Sequence, residues 1–291
     1  MTLASYRALI RAYVDGNHDQ FRSVALQIAA SLRGTGLFPE IKAMIDRLPP
    51  MTHALTALPK SVKSGDELLD QREPTHALGD LVLGREVVAA LRGLVEEHAL
   101  ADRLHEMGLL PSLKVIFDGP PGTGKTSAAG AVARTLGWPF VVARHDSLIS
   151  SYMGETGSNL RKVFDFASST RCVLLFDEFD SFGLKRRGGS QSAEGEMGRA
   201  LNLILQQMDR HRGPSILIAA TNLPDALDQA LNRRFDLAVK FELPTEDQRR
   251  ELIHRVLGEP DGPFSGSHAE IVRDAMSERK RRILQSLRHP S

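Results

Sequence analysis

Between residues 115 and 241, short apolar runs alternate with stretches whose apolar positions recur every third or fourth residue. The runs are Val115–Phe117, Phe140–Ala143, Cys172–Phe176, Ile216–Ala220 and Leu237–Phe241. None shows the in-and-out alternation of a half-exposed strand, so each reads as a strand buried on both faces. Strands of that kind separated by helical periods predict an α/β core, a parallel five-stranded sheet covered by helices. A further helix is expected over 85–104, ahead of the first run.

The flanks read differently. Tyr6, Leu9, Ile10 and Tyr13 share one helical face, as do Phe21, Val24, Ala25 and Ile28, and Pro39 opens a third period through Ile41, Met44, Ile45 and Leu48. These predict a helical bundle over 1–48. A bundle this far below about 60 residues buries little surface by itself, so it docks on a neighbour or on a partner. Residues 49–79 lose all periodicity in Pro, Thr, Ser, His and charge, and read as a linker with at most one short helix near 66–69. The core is expected over 80–244. Two helical segments after Pro244 read as a shortened helical lid over 245–291.

Lys plus Arg (37) balance Asp plus Glu (36), so global charge gives no reason to expect nucleic acid or an anionic membrane as partner. The single Cys172 has nothing to pair with in the chain and begins an apolar run, which makes it a small buried hydrophobe. Arg7 and Arg11 interrupt the first apolar residues, and no stretch approaches the roughly 20 apolar residues of a membrane span. Cytoplasm is the expected compartment.

The first apolar run breaks into Gly119-Pro120-Pro121-Gly122-Thr123-Gly124-Lys125-Thr126. Glycines at these positions let backbone N–H groups turn inward around phosphates. Lys125 can reach the β- and γ-phosphates, and the Thr126 hydroxyl can hold Mg²⁺. The Ala-rich helix expected after it directs its positive end at the same anion. A nucleoside triphosphate is the ligand this arrangement fits. The run Cys172–Phe176 ends in Asp177 and Glu178, which suit the Mg²⁺ shell and the activation of an attacking water. Asn222 ends the next run, where an amide can touch the γ-phosphate or the water or can simply begin a turn. Arg233 and Arg234 precede the last run and could stabilise charge on a transferring phosphate.

In combination, residues 119–126, Phe176-Asp177-Glu178-Phe179-Asp180, Ala220-Thr221-Asn222 and Arg233-Arg234-Phe235-Asp236 resemble the AAA family of P-loop ATPases, with the resemblance running over about 78–271. It is most similar to single-ring bacterial members with a small helical N-terminal region. The resemblance implies a homo-oligomeric ring, usually a hexamer, that hydrolyses ATP with Mg²⁺. By it, Pro121, Gly122, Thr123, Gly124, Lys125, Thr126 and Ser127 surround the phosphates, Thr126 and Asp177 hold the metal, and Glu178 and Asn222 act in the same subunit. Arg233 and Arg234 would reach the next subunit's ATP. Asp80-Leu81-Val82 resembles the segment against adenine, and His268 and Ala269 the lid helix that closes the site. Tyr152 and Met153 resemble a central-pore loop, with the loop 188–195 a layer below; a Tyr packed on its own domain is the alternative.

Two departures stand out: the arginines are adjacent where many members separate them by Pro-Gly, and the lid has room for only about two or three helices. The functional expectation is a remodeller, unfoldase or disassembler of a protein client, with some relatives of this type acting beside a separate protease. The alternative is an ATP-dependent assembly switch that holds a partner without threading it. Remodelling of nucleic acid is disfavoured by the balanced charge and the aromatic pore loop.

Overall fold

The computed structural model describes residues 24, 25, 28, 58–61, 64–149, 155–182, 191–223, 233–259 and 262–288. Of the expected N-terminal bundle only Val24, Ala25 and Ile28 fall among these, and they are helical. Tyr152 and Met153 lie outside the described residues.

A six-stranded sheet runs in the order β1-β3-β4-β5-β2-β6, comprising β1 (Leu69–Arg72), β2 (Lys114–Asp118), β3 (Phe140–Ala143), β4 (Val173–Phe176), β5 (Ile216–Thr221) and β6 (Leu237–Lys240). All five runs read from the sequence are strands, and their pairings are parallel. Every residue of β3, β4 and β5 is buried. On one face lie α1 (Arg85–Ala99) and α3 (Lys125–Leu136), contributing Leu91, Leu94, Ala129 and Val132 to the core. On the other lie α5 (Glu155–Ser169) and α6 (Gln191–Arg210), contributing Leu160, Val163, Phe164, Ile204 and Met208. Between them α2 (Ala101–Glu106) and α4 (His145–Leu148) are short. Cys172 is fully buried, and burial pushes its thiol up to about 11, the inert state expected of it.

The expectation of five strands is corrected by β1, which pairs antiparallel with β3 and lies inside the segment 49–79 read as a linker. An edge strand needs only one buried face and carries charge on the other, so Leu69-Asp70-Gln71-Arg72 shows no apolar run to find. Its attachment is firm. Leu68 and Leu69 are wholly buried, the Arg144 N–H donates to the Leu68 carbonyl at 3.0 Å, and Ser61 Oγ donates to Glu155 Oε1 at 2.9 Å within the protein interior.

Three smaller readings also change. At the other sheet edge β6 buries only Val239 and leaves Ala238 and Lys240 exposed, so it is not covered on both faces. The helix expected over 85–104 is two, because the buried stripe Val87, Leu91, Leu94 has no continuation in α2, which buries nothing, and the chain breaks at Leu100. Of the loop expected over 188–195, residues from Gln191 onward are already helix α6.

The lid consists of α7 (Glu246–Leu257) and α8 (His268–Arg288). A capping box of Thr245 with Gln248 starts α7, and Gly258, at φ +79°, stops it. Leu252, Ile253 and Ile271 of the lid share a small core with Val82 from the segment before α1.

If residues 64–72 belong to the body, Leu69→Ala should destabilise it by about 2–5 kcal/mol, the usual cost of truncating a buried leucine. Denaturant titration checks this; a change within about 0.5 kcal/mol, as for a solvated linker residue, would restore the linker reading.

Candidate nucleotide site

The chain leaves β2 for β3, on the far side of β5 and β4, so a crevice opens above the carboxyl ends of β2, β5 and β4. The glycine loop fills its floor. At Gly119 (φ +144°) a Cβ would lie 2.1 Å from the Phe241 carbonyl oxygen, and at Gly122 (φ +74°) 2.5 Å from Ser267 Oγ. The loop is therefore wedged between the end of β6 and the start of the lid, where only glycine fits. Gly124 (φ +95°) is the N-cap of α3 and offers no side-chain cap, which leaves the first N–H groups of that helix to an anion. Thr123 is buried and closes the loop by donating to the Pro120 carbonyl at 2.9 Å. Pro121 and Ser127 are exposed on either side of it.

Lys125 is buried, and its ammonium spends its three donors on the carbonyls of Gly119 (2.7 Å) and Pro120 (2.8 Å) and on Asn222 Oδ1 (2.8 Å). Burial pushes it below the usual lysine range against the pull of Asp177, Asp180 and Asp118. Burial likewise raises the Asp118 carboxyl, opposed by Lys240 and Lys125.

Thr126 Oγ1 donates to Asp177 Oδ2 at 2.7 Å, which sets hydroxyl and carboxylate side by side. The Glu178 N–H donates to Asp177 Oδ1 at 3.0 Å, and the Glu178 carboxylate faces solvent. Among the described residues, Glu178 alone of the non-glycines has positive φ, +48°, a strain of order 1–3 kcal/mol that the following turn has to hold. Asp180, given no separate role in the sequence, does much of that holding. Its Oδ1 accepts from Thr221 Oγ1 (2.9 Å) and from the Asn222 N–H (3.1 Å), tying the tip of β5 to the turn after β4. A cavity of about 310 Å³ beside Asp177 and Glu178 is lined also by Arg72, Arg144 and His145.

The lid meets the loop directly. The Ala269 N–H donates to the Gly122 carbonyl at 3.0 Å. Ser267 caps α8 through Glu270, whose carboxyl the Ser267 main chain holds below the usual range. Both ring nitrogens of His268 are buried, and burial keeps the ring toward its neutral form against the pull of the Val82 main chain beside it. Asp80 spends its carboxylate on the Ala77 N–H (2.8 Å), while Leu81 packs toward the body and Val82 toward the lid.

The arginines sit elsewhere. Asp236 accepts from the Leu113 and Lys114 N–H groups at 3.0 and 2.9 Å, which fixes this segment at the start of β2. The phosphate loop begins at the other end of that strand, about 13 Å away at 3.3 Å per residue. Arg234 pairs with Asp209 of α6. Arg233 is exposed and makes no hydrogen bond or ion pair with the described residues. The two are therefore not equivalent, and nothing in the sequence distinguishes them except a partner 25 residues upstream.

The family described as "ATPase family associated with various cellular activities (AAA)" matches residues 115–243. An uncharacterized AAA family ATPase, y4kL, of Sinorhizobium fredii is 38% identical over 250 residues, covering 82% of this chain and 73% of that protein. The 26S proteasome subunit RPT4 of Saccharomyces cerevisiae is 36% identical over 178 residues, 59% of this chain but only 41% of its own length. The crystal structure of the FIGL-1 AAA domain superposes with a TM-score of 0.57 at 22% identity over 78% of this chain and 80% of that one, a likeness of fold.

Removing the ammonium leaves phosphate charge uncompensated, so Lys125→Ala should abolish ATP binding in a direct titration; unchanged affinity would place the site elsewhere. Glu178→Gln keeps shape but accepts no proton, and should retain ATP while hydrolysis falls by about 10²–10⁴.

Proposed function

The chain belongs to the AAA family of ATPases, and on that premise we propose that it works as a homo-oligomeric ring, a hexamer as is usual in the family, whose ATP hydrolysis remodels, unfolds or disassembles a protein client. It hydrolyses ATP as its family does. The observation that carries the ring is the place of the arginines, at the far end of β2 from their own phosphate loop. A cation there is poorly placed for its own site and well placed to complete another subunit's.

Within one subunit, the turned-in N–H groups of residues 122–126 and the Lys125 ammonium bind the phosphates. Thr126 and Asp177 provide adjacent hard oxygen donors that fit Mg²⁺ completed by water and phosphate, and the ion supplies neutralising charge there. Glu178 takes a proton from the attacking water, and its carboxylate is open to solvent for that purpose. Asn222, held by Asp180, lies against the Lys125 ammonium where a γ-phosphate would be met. The buried ring of His268 beside the Leu81–Val82 segment fits an adenine between body and lid.

Work on protein is supported by the likeness to a proteasome subunit, and action beside a separate protease follows the same likeness. Tyr152 and Met153 would grip the client. No helix among the described residues is long and apolar enough to cross a membrane, and we place the ring in the cytoplasm. A nucleic-acid client gains no support from the charge balance.

Mixing decides the trans arrangement. Inactive Arg233→Ala/Arg234→Ala subunits combined with inactive Glu178→Gln subunits should regain ATPase activity, because at a hybrid interface one supplies the site and the other the arginines. No regain at any ratio would remove the ring from the mechanism. Threading is tested separately: Tyr152→Ala should lose client remodelling far more than ATP turnover. Full remodelling by a stable Tyr152→Ala protein would favour the assembly switch, which holds its partner without pulling it.

A further inference from the structure

We propose that the chain ahead of α1 braces the loop that would grip the client, and that Ser61 is the positioning residue of that brace, holding the first turn of α5 through Glu155. The proposal rests on the reading of Tyr152 and Met153 as that loop and concerns its two stems, α4 and α5, between which residues 149–154 run.

Residues 58–61 and 64–72 fold back on each other. The Leu68 N–H donates to the Pro59 carbonyl and the Ser61 N–H to the Asp66 carbonyl, both at 2.9 Å, with Lys60 bridged antiparallel to Glu67. The unit so formed reaches both stems. Upstream, Leu69–Arg72 pairs with Phe140–Ala143, and the Leu68 carbonyl accepts from the Arg144 N–H at 3.0 Å, one residue before α4. Downstream, Ser61 Oγ donates to Glu155 Oε1 at 2.9 Å, and the Lys60 carbonyl accepts from Lys162 Nζ at 2.7 Å, about two turns further along α5. Leu68, Leu148 of α4 and Leu160 of α5 share one core. Asn159 Nδ2 donates to the Ser147 carbonyl at 3.1 Å, so the stems are also tied to each other.

The Ser61 bond carries the inference. Glu155 is the first residue of α5, directly after the loop, and it is 9% exposed while Ser61 is 6% exposed. As a device for stability the bond is a poor choice, because a carboxylate taken out of water costs more than an apolar contact filling the same space. What it adds is direction. A hydroxyl donating to a carboxylate fixes its two ends at hydrogen-bond length and angle, whereas apolar side chains can slip past each other. The first turn of a helix has no intrahelical partners for its N–H groups and frays unless it is held. Force on residues 149–154 falls first on that turn, and Ser61 holds it from outside the helix. The bond spans 94 residues of sequence, so it exists only because β1 brings the chain around it into the sheet.

Cys172 is the chain's one cysteine and is buried with an inert thiol, so Tyr152→Cys in the full chain puts a single reactive thiol on the loop for a nitroxide label. Electron paramagnetic resonance then reads the label's motion. Adding Ser61→Ala should shift the spectrum toward fast motion while ATP turnover stays unchanged, since Ser61 touches no group of the nucleotide site. A label at Asp165→Cys, exposed further along α5, should not respond, which separates a loosened stem from a loosened protein. Lys162→Met removes only the surface tie, so it answers the same question if Ser61→Ala does not fold, and it should shift the Tyr152→Cys label in the same sense. Glu155→Ala should shift it too, and Ser61→Ala added to Glu155→Ala should change nothing more, because the two residues act as a pair. An unchanged spectrum in a folded Ser61→Ala protein overturns the proposal, as does equal loosening at both labels. The gripping reading fails separately: if Tyr152→Ala remodels its client at full rate, the loop is braced but holds no client.

Discussion

Burying the Lys125 ammonium obliges separate segments to converge on it, and the rest of the site follows from that obligation. A buried cation without partners is too costly to keep. Its acceptors here are two carbonyls of the glycine loop and the amide oxygen of Asn222 at the tip of β5. The loop can present its carbonyls only because Gly119 takes a backbone shape and a closeness to Phe241 that no other residue allows. Asn222 can present its amide only because Asp180 holds the backbone on which it sits. Asp180 in turn belongs to the turn that carries Asp177 and Glu178, so the groups proposed to bind phosphate and to accept a proton share one hydrogen-bonded frame.

The parts of this arrangement that were legible in the sequence are those where local chemistry leaves few options. Strands β3, β4 and β5 are buried on both faces and had to be written as apolar runs. The glycine loop needs its residue types at fixed spacing, and each of its glycines that bears on the ligand has positive φ. What the sequence did not disclose depends on a partner chosen by the fold. β1 was missed because an edge strand writes only one buried position into Leu69–Arg72. Asp180 looks like any acid after a strand until Thr221 and Asn222 are brought against it. Arg233 and Arg234 are interchangeable letters, and only the approach of Asp209 separates them.

The same limit explains why the segment over 49–79 read as a linker. Its buried content, Leu68 and Leu69 with Ser61 beneath the start of α5, is sparse and irregular, because it fills gaps in a surface built by other elements. Periodicity reports a chain that forms its own face. A chain that completes another element's face has no period to report.

Two connections of unequal strength leave the site. Toward the lid there is one main-chain hydrogen bond, Ala269 to Gly122, worth about 0.5–1.5 kcal/mol net, beside a close approach of Ser267. The lid's own core uses Val82, so α7 and α8 can keep their packing while that bond changes. Toward the arginines there is a buried aromatic contact, Phe179 on Phe235, with the clamp of Asp236 behind it. Aromatic pairs are worth about 0.5–1.5 kcal/mol beyond the area they bury, and this one is inside the main core. A micromolar nucleotide brings about 8 kcal/mol, enough to reset the lid but spread thinly against a packed core. The lid is therefore joined to the loop by less than joins the arginine segment to the turn beneath it.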